Sequence, residues 1–204
     1  MAKKLKPATD ISTEEKIKDA ARIVFTQKGF AATRTRDIAE AAGINLALLN
    51  YYFRSKQKLF EEIMLEKVQQ LFGLIAPVLY NPDSTLESKI ETIVSLYIDM
   101  ITEHPDLPIF VLSEIRNHPE HFAKTFKVGQ ILYESAFIKQ LKEKRPDINP
   151  LHFLMNTLGM IIFPFIARPV FEAIGAADPN LFNNMMNERK SLIPEWTKAI
   201  LDTI

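Results

Sequence analysis

The sequence predicts an all-α fold. Apolar residues recur at steps of three and four along nearly the whole chain, which is the spacing of one helical face. No segment shows the alternation of apolar and polar residues, or the clustering of β-branched residues, that is typical of strands. The chain has 204 residues, 47% of them apolar, so it can bury a sizeable core and we expect a soluble globular protein.

The first predicted helix places its apolar residues on one stripe, because they recur at the spacing of successive helical turns. These residues are Ile17, Ala20, Ala21, Val24 and Phe25. Ser12 or Thr13 is the expected N-cap, and Gly29 suits the residue that follows the last turn.

Two short helices joined by Gly43 are expected next. The first covers residues 34–42 with Thr33 as its N-cap, and the second covers residues 46–53 with Asn45 as its N-cap. Two short helices that meet at a glycine and are braced by a longer helix form a helix-turn-helix unit.

A fourth helix is expected to begin after Ser55, its N-cap, and to end near Pro77. Ser84 and Glu87 fit a capping box at the start of a fifth helix that reaches about residue 103.

Prolines at positions 105, 108 and 119 predict a short or broken helix, and one long helix is expected over residues 120–144. A strongly apolar helix over residues 151–171, kinked at Pro164 or Pro169, and a last helix over residues 179–204 complete the prediction.

Several classes of protein are excluded by composition. The chain has no cysteine, so it has no disulfide, thiolate metal site or cysteine nucleophile. Its basic amino terminus is not followed by an apolar segment, and its longest apolar stretch, residues 158–167, is shorter than the roughly 20 residues that span a bilayer. No nucleophile elbow, phosphate-binding loop or dinucleotide fingerprint occurs. We therefore expect a cytoplasmic protein that is no enzyme and has no cofactor, metal site or membrane partner.

The charges are divided unevenly along the chain. Residues 1–60 contain twelve basic and six acidic residues, a net charge of +6, so residues 61–204 carry −6 because the whole chain is neutral. A basic segment on an acidic remainder is expected when one end of a protein meets a polyanion.

The first sixty residues resemble the DNA-binding domain of TetR-type transcriptional regulators, the tetracycline repressor family. The resemblance covers about residues 12–65 and rests on nineteen residues that match in type and spacing without a gap: Ile17, Ala20, Ala21, Phe25, Gly29, Phe30, Thr33, Asp37, Ile38, Ala39, Ala42, Gly43, Ile44, Leu49, Tyr52, Phe53, Ser55, Lys56 and Leu59. It implies a three-helix helix-turn-helix DNA-binding domain over residues 1–60. A helical effector-binding and dimerisation domain over residues 61–204 would follow.

The implied function is sequence-specific regulation of transcription. The resemblance implies a repressor that binds a near-palindromic operator in double-stranded DNA as a homodimer and is released by a small apolar or amphipathic effector. Two other interpretations stay open on the residues alone. One is a DNA-binding regulator without a ligand, and the other is a helical binding protein whose DNA-binding domain is vestigial.

The resemblance also implies which residues contact DNA. They are Thr33, Arg34, Thr35, Asn45, Leu46, Ala47, Leu48, Asn50, Tyr51, Tyr52 and Lys56. Asn50 is the best candidate for a base contact, because a side-chain amide can form two hydrogen bonds with adenine, although a phosphate or water contact is the alternative. Leu46 and Leu48 depart from the family's polar pattern, so they either touch thymine methyl groups or pack inward. Lys56 is the strongest candidate for a phosphate contact, the alternative being an ordinary exposed cation, and Arg36 and Arg54 are interpreted as surface charges.

The remainder of the chain offers weaker candidates. Met100, Phe126, Phe153 and Asn156 are predicted to line a ligand pocket, and plain core packing is the alternative for each. The last two helices are expected to form the dimer interface, through Phe163, Phe182, Met186, Ile193 and Trp196, unless these residues are buried within one subunit.

Overall fold

Helices make up nearly all of the chain in the computed structural model, which describes residues 8–176 and 178–203. These residues form eleven helices and no strand, which confirms the predicted all-α class. The chain divides into two compact units, residues 1–67 and 68–204. The predicted domain boundary after residue 60 and the observed division both fall within one helix, α4 (Lys56–Tyr80).

The first unit, which we call the head, contains α1 (Ala8–Ala32), α2 (Thr35–Ala41), α3 (Leu46–Phe53) and the first turns of α4. Its core is built from the stripe predicted on α1, all five members of which are buried, together with the inward faces of α2 and α3. The ring of Phe60 lies 5.2 Å from that of Phe25 and 4.6 Å from that of Phe30, so the start of α4 is packed against α1.

The predicted caps of the first two helices are wrong. Ser12 and Thr13 lie inside α1, which begins at Ala8, so neither can be its N-cap. Thr33 does not cap α2, because its buried hydroxyl donates to the carbonyl of Gly29 at 2.7 Å. Arg34 is the N-cap residue instead, and its backbone N–H donates to the Asp37 carboxylate at 3.0 Å.

Glycine is needed at two positions in the head. Gly29 has a φ of 71° and a ψ of 164°, a conformation that side-chain-bearing residues rarely adopt, and it interrupts the helical geometry near the end of α1. Gly43 has a φ of 66° and turns the chain between α2 and α3, as the sequence predicted.

The second unit, which we call the body, contains the rest of α4 and seven further helices. They are α5 (Leu86–Glu103), α6 (Leu107–Asn117), α7 (Pro119–Thr125), α8 (Val128–Glu134), α9 (Ala136–Lys144), α10 (Pro150–Ala173) and α11 (Pro179–Asp202). Helix α11 packs along α5, and α10 contacts α5, α6, α9 and α11. The apolar helix α10 therefore contacts four of the other helices of the body.

The long helix predicted over residues 120–144 is instead three short helices, α7, α8 and α9. Lys127 adopts a left-handed conformation, with a φ of 50° and a ψ of 39°, and separates α7 from α8. Ser135 is extended, and its buried hydroxyl accepts a hydrogen bond from the N–H of Ile138 as the N-cap of α9. Both breaks turn the apolar residues of α8 and α9 toward the body interior.

Two smaller predictions also differ. Helix α4 runs through Pro77 to Tyr80, and α5 is capped by Thr85 rather than Ser84, since the Thr85 hydroxyl accepts from the N–H of Ser88. Pro164 and Pro169 lie inside α10 as expected.

Helix α10 is the one described helix that is long and apolar enough to cross a membrane, judged by length and composition alone. The sequence prediction considered only the apolar stretch of residues 158–167, which Gly159 and Pro164 interrupt. Only 28% of the apolar window of α10 is buried, and Met155, Phe163 and Val170 are each more than half exposed, so packing within the body covers only part of its apolar surface.

Candidate nucleic-acid interface

Helix α3 presents one face to solvent, which we call the outer face of α3. Its residues recur at the spacing of one helical face: Ala47, Asn50, Tyr51 and Arg54, the last being the C-cap residue. Leu49 and Phe53 on the opposite face are buried in the core of the head. The helix therefore has the predicted bounds and inward residues, and Asn50 is exposed and available to a ligand.

The start of α3 is fixed by Asn45. Its side-chain oxygen accepts a hydrogen bond of 2.8 Å from the N–H of Leu48, which leaves the side-chain NH2 as a donor to a partner. Leu46 and Leu48 are half-buried, so neither is wholly committed to the core. Tyr51 is 77% exposed, and its ring meets that of the half-buried Tyr52 edge to face at 5.3 Å.

Four exposed cations lie beside α3 in the sequence: Arg34, Arg36, Arg54 and Lys58. Within the described part of the chain, none of the four forms an ion pair. Arg36 and Arg54 were interpreted as surface charges and Lys58 was not considered, although a cation without an acidic partner is the kind that a phosphate can bind. Only the structure separates these residues from cations of the head that are paired with acids.

Lys56 has a different environment from the one that the sequence indicated. Its ammonium donates to the carbonyl oxygens of Phe30 at 2.7 Å and Thr33 at 2.9 Å, and it lies 4.2 Å from the centre of the Phe30 ring. It is half-buried and holds the end of α1. The interpretation of Lys56 as an ordinary exposed cation is therefore wrong, and one of its three ammonium protons remains for a phosphate contact.

Thr33 is the one predicted DNA-contacting residue that is buried, at 2% exposure. Since its hydroxyl proton is donated to Gly29, a phosphate contact through this side chain is contradicted by the structure. Thr35, by contrast, is half-buried at the first position of α2.

Other charges in the head serve its internal structure. The Glu66 carboxylate on α4 accepts from Lys18 at 2.8 Å and from Arg22 at 2.7 Å, both on α1. Burial alone would raise the pKa of Glu66, but the hydrogen bonds from Lys18 and Arg22 outweigh it and hold the pKa below its usual value. On α2, the N–H of Arg34 and then Lys28 at 3.2 Å hold the pKa of Asp37 below its usual value.

The body contains an apolar cavity of about 400 Å³. It is lined by the second half of α4 and by residues of α5 to α10. The α4 residues are Val68, Leu71, Phe72, Ile75 and Leu79. The volume falls within the range of small-molecule sites.

The four predicted pocket residues do not line this cavity. Met100, Phe126 and Phe153 are buried in the core, and Asn156 faces a separate groove between α10 and α11. Phe126 stacks on Phe72 with ring centres 4.6 Å apart, so it lies one layer behind the cavity wall. Aromatic and methionine content predicted an apolar body but not which side chains border the space.

The groove between α10 and α11 is open and has a volume of about 800 Å³. It is lined by Phe163, which is 63% exposed, and by Arg189, whose guanidinium lies 5.1 Å from the ring centre of Trp196. Of the predicted interface residues, Phe182, Met186 and Ile193 are buried within the subunit at 2% exposure or less. These three cannot offer a free surface to a partner, whereas Phe163 and Trp196 can.

Among residues 8–176 and 178–203, no group of three His, Cys, Asp or Glu side chains is placed to hold a metal ion.

Comparison with known proteins agrees with this geometry. Residues 17–63 match the family model described as bacterial regulatory proteins, tetR family. The chain is 26% identical over 203 residues to "Probable HTH-type transcriptional regulator YttP" of Bacillus subtilis, covering 95% of this chain and 96% of the relative. It is 32% identical over 124 residues to the HTH-type transcriptional repressor KstR2 of Mycolicibacterium smegmatis, covering 54% of this chain and 60% of that protein.

The fold is also found in a solved structure, the TetR family transcriptional regulator PfmR from Thermus thermophilus. The TM-score is 0.59 at 19% identity, and the match covers 88% of this chain and 97% of PfmR. The matched segment 17–63 contains α2, α3 and the outer face of α3. Residues 17–63 therefore form the helix-turn-helix DNA-binding domain of the tetR family of bacterial regulatory proteins, and a helical carboxyl-terminal domain follows it.

Proposed function

We propose that this regulator is a repressor that binds a near-palindromic operator as a homodimer and releases it when a small apolar molecule occupies the body cavity. Residues 1–60 form the DNA-binding domain and residues 61–204 the effector-binding and dimerisation domain in this proposal. The location is cytoplasmic, where the DNA is, and no enzymatic step is part of the function.

The observation that carries the proposal is the outer face of α3. It presents an amide at Asn50, a phenol at Tyr51 and a guanidinium at Arg54 on one side of a short helix, and a helix of this diameter fits the major groove. Asn50 can form two hydrogen bonds with an adenine edge. The exposed cations Arg34, Arg36 and Lys58 supply phosphate contacts, which fix the position of the helix but carry no sequence information.

Two heads are required for specificity, because one short helix contacts only a few base pairs. Binding of successive major grooves on one side of the duplex sets the two recognition helices about 34 Å apart. The apolar groove between α10 and α11, which the exposed Phe163 lines, is the surface on which a second copy packs, and the exposed Trp196 lies beside it against Arg189.

The proposed sign of regulation is repression. It is supported by the relative KstR2, which is named a transcriptional repressor and is 32% identical over 124 residues.

Release by a ligand is supported by helix α4, which contributes residues both to the head and to the cavity wall of the body. Its first turns carry Glu66, which is bound to Lys18 and Arg22 within the head, and its second half contributes five residues to the cavity wall. A molecule that displaces the cavity wall therefore acts on a helix that is continuous with the head. Effector and operator must weaken each other's binding by the same factor, since linkage is reciprocal.

The experiment is selection of bound duplexes from a random DNA pool at fixed salt, with the wild type and two variants. Asn50→Ala is expected to relax preference at one base pair by about 1–3 kcal/mol. Arg54→Ala is expected to weaken binding of all sequences and to lower the salt slope by about one. Lys142→Ala, which removes an exposed cation from α9 in the body, is the matched control and should leave both quantities unchanged.

Enrichment of a two-fold symmetric sequence that depends on Asn50 would support the proposal. Failure to enrich any sequence, with affinity at the non-specific level for the wild type and both variants, would refute it and favour a body that functions without the head.

A further inference from the structure

The body cavity is almost entirely hydrocarbon. Of the 27 side chains that line it, 25 carry no oxygen or nitrogen, and none is charged. The two exceptions are the hydroxyl-bearing residues Tyr97 on α5 and Thr157 on α10. A charged group in this space would lose its hydration without gaining a partner, which is the costliest form of burial.

The two hydroxyls differ in what they offer. The Thr157 hydroxyl donates to the carbonyl oxygen of Phe153 at 2.9 Å, so its proton is committed to α10 itself. The Tyr97 hydroxyl forms no hydrogen bond with any residue that the structure describes. Burial raises the pKa of Tyr97 to about 12, so the phenol is protonated at neutral pH and is a donor.

A hydroxyl that borders an apolar cavity gains a hydrogen bond from a ligand that supplies an acceptor. The Tyr97 side chain as a whole is only half-buried because part of it borders the cavity, where a ligand can reach it. Leu112 and Ile115 on α6 and Leu151 on α10 line the cavity and are also 44–48% exposed, which marks a route from solvent.

We propose that the cavity selects an uncharged molecule with a hydrocarbon skeleton and one acceptor oxygen, which accepts a hydrogen bond from the Tyr97 hydroxyl. This inference rests on the proposed function for its regulatory meaning, but it concerns binding alone. It specifies the chemistry of the effector: a neutral ester or ketone binds, and a chain whose charged end must enter the cavity does not.

The test measures displacement of a neutral fluorescent probe, N-phenyl-1-naphthylamine, from the full-length protein. The competitors are methyl decanoate, 1-chlorodecane, decanoate and decylammonium. Methyl decanoate is expected to bind at least about tenfold more tightly than either ion, because neither ion can bury its charge in the cavity. Tyr97→Phe is expected to weaken methyl decanoate by about two- to tenfold and to leave 1-chlorodecane unchanged, since only the ester loses a hydrogen bond.

Two further variants keep the inference falsifiable. Tyr133→Phe removes the hydroxyl of a tyrosine that is 79% exposed and lies outside the cavity lining, so it should change no affinity. Leu158→Trp replaces a cavity-lining side chain with the much larger indole ring and should abolish probe binding altogether. Equal affinity for ester and decanoate, equal loss of ester and chlorodecane in Tyr97→Phe, or unchanged probe binding in Leu158→Trp would each overturn it.

The outcome is separable from that of the proposed function. Tyr97-dependent ester binding without a change in operator affinity would uphold this inference and refute release by the ligand. Operator binding by a protein that takes up none of the uncharged competitors would overturn this inference and leave the DNA-binding part of the proposed function standing.

Discussion

The ammonium nitrogen of Lys56 lies 2.7 Å from the carbonyl oxygen of Phe30 and 4.2 Å from the centre of the same residue's ring. The first residue of α4 thereby closes the end of α1, where Gly29 has interrupted the helix and backbone carbonyls need donors. Lys56, which the sequence predicts to contact a phosphate, is thus part of the internal structure of the head.

Replacing Lys56 by Met should therefore destabilise the head. The side-chain stem is kept while two charge-assisted hydrogen bonds and a cation–π contact are lost, and we expect a loss of about 1–3 kcal/mol of local stability. Amide hydrogen exchange of α2 and α3 should accelerate by about five- to a hundredfold. Lys58→Met, at an exposed neighbouring position, is the control and should leave exchange unchanged. If exchange in Lys56→Met is unaltered and the salt slope of DNA binding falls by about one, Lys56 contacts a DNA phosphate and does not stabilise the head.

The Glu66 carboxylate should make the head sensitive to acid. A group whose pKa is lower in the folded state stabilises the fold above its unfolded pKa, about 4.3, and that contribution is lost as the pH falls through the folded value. Thermal melts followed by circular dichroism from about pH 7 to pH 3 should show a steeper fall in Tm for the wild type than for Glu66→Gln. Glu40→Gln, at an exposed site on α2, should follow the wild-type curve. Parallel curves for the wild type and Glu66→Gln would contradict the role of this carboxylate.

Lys89 offers a test of the body. It is fully buried, and its ammonium donates to the carbonyl oxygen of Ser84 at 2.6 Å and to the side-chain oxygen of Gln140 at 2.7 Å. Burial lowers its pKa, and the opposing charge of Asp83 only partly offsets the loss of hydration. Its long stem fills core volume, and the Gln140 amide also donates to Ser84 at 2.9 Å, so part of the polar cluster survives without the ammonium.

We expect Lys89→Ala to lower the free energy of unfolding by about 2–4 kcal/mol and Lys89→Met to cost at least about 1 kcal/mol less, since Met retains the packed volume. Urea unfolding followed by fluorescence of Trp196, the single tryptophan, measures both. Lys142→Met on the surface of α9 is the control. A Met variant as unstable as the Ala variant would show that the ammonium, and not the stem, is what the fold requires.

Phe163 provides a test of the proposed dimer surface. Phe163→Glu places a charge in the groove between α10 and α11 and should give a monomer by light scattering at concentrations where the wild type is a dimer. Ile109→Glu introduces the same charge at a 57% exposed apolar residue of α6, outside that groove, and should stay dimeric. The reverse pattern would place the interface on α6.

The sequence predictions were accurate where a helix boundary is set by residues close to it in the sequence, and inaccurate where it is set by packing. Helix α3 has the predicted bounds because its cap, Asn45, and the glycine turn at Gly43 lie within a few residues of its start. The break at Lys127 carries no such signal, since a left-handed lysine has no local preference for that conformation. It is set by packing: α8 and α9 must each turn apolar residues, such as Ile131 and Phe137, toward the cavity.

The candidate sites divide in the same way. Exposure of Asn50 and Tyr51 follows from the helical period and was predictable. The pairing of Lys56 with Phe30 and the committed hydroxyl of Thr33 depend on contacts across the head that the helical period does not specify. Tyr97 was missed as a ligand-binding residue because a tyrosine among apolar neighbours is interpreted as core until the cavity beside it is seen.

Met155 has a position with a thermodynamic consequence, because it lines both the apolar cavity and the groove between α10 and α11. One thioether side chain is thus shared by the space for the proposed effector and the surface for the proposed second copy. Any rotamer of Met155 that one occupant selects is imposed on the other. Under the proposed function, the apparent affinity for effector is therefore expected to vary with protein concentration, and the response threshold in a cell is expected to depend on how much of the regulator has been made.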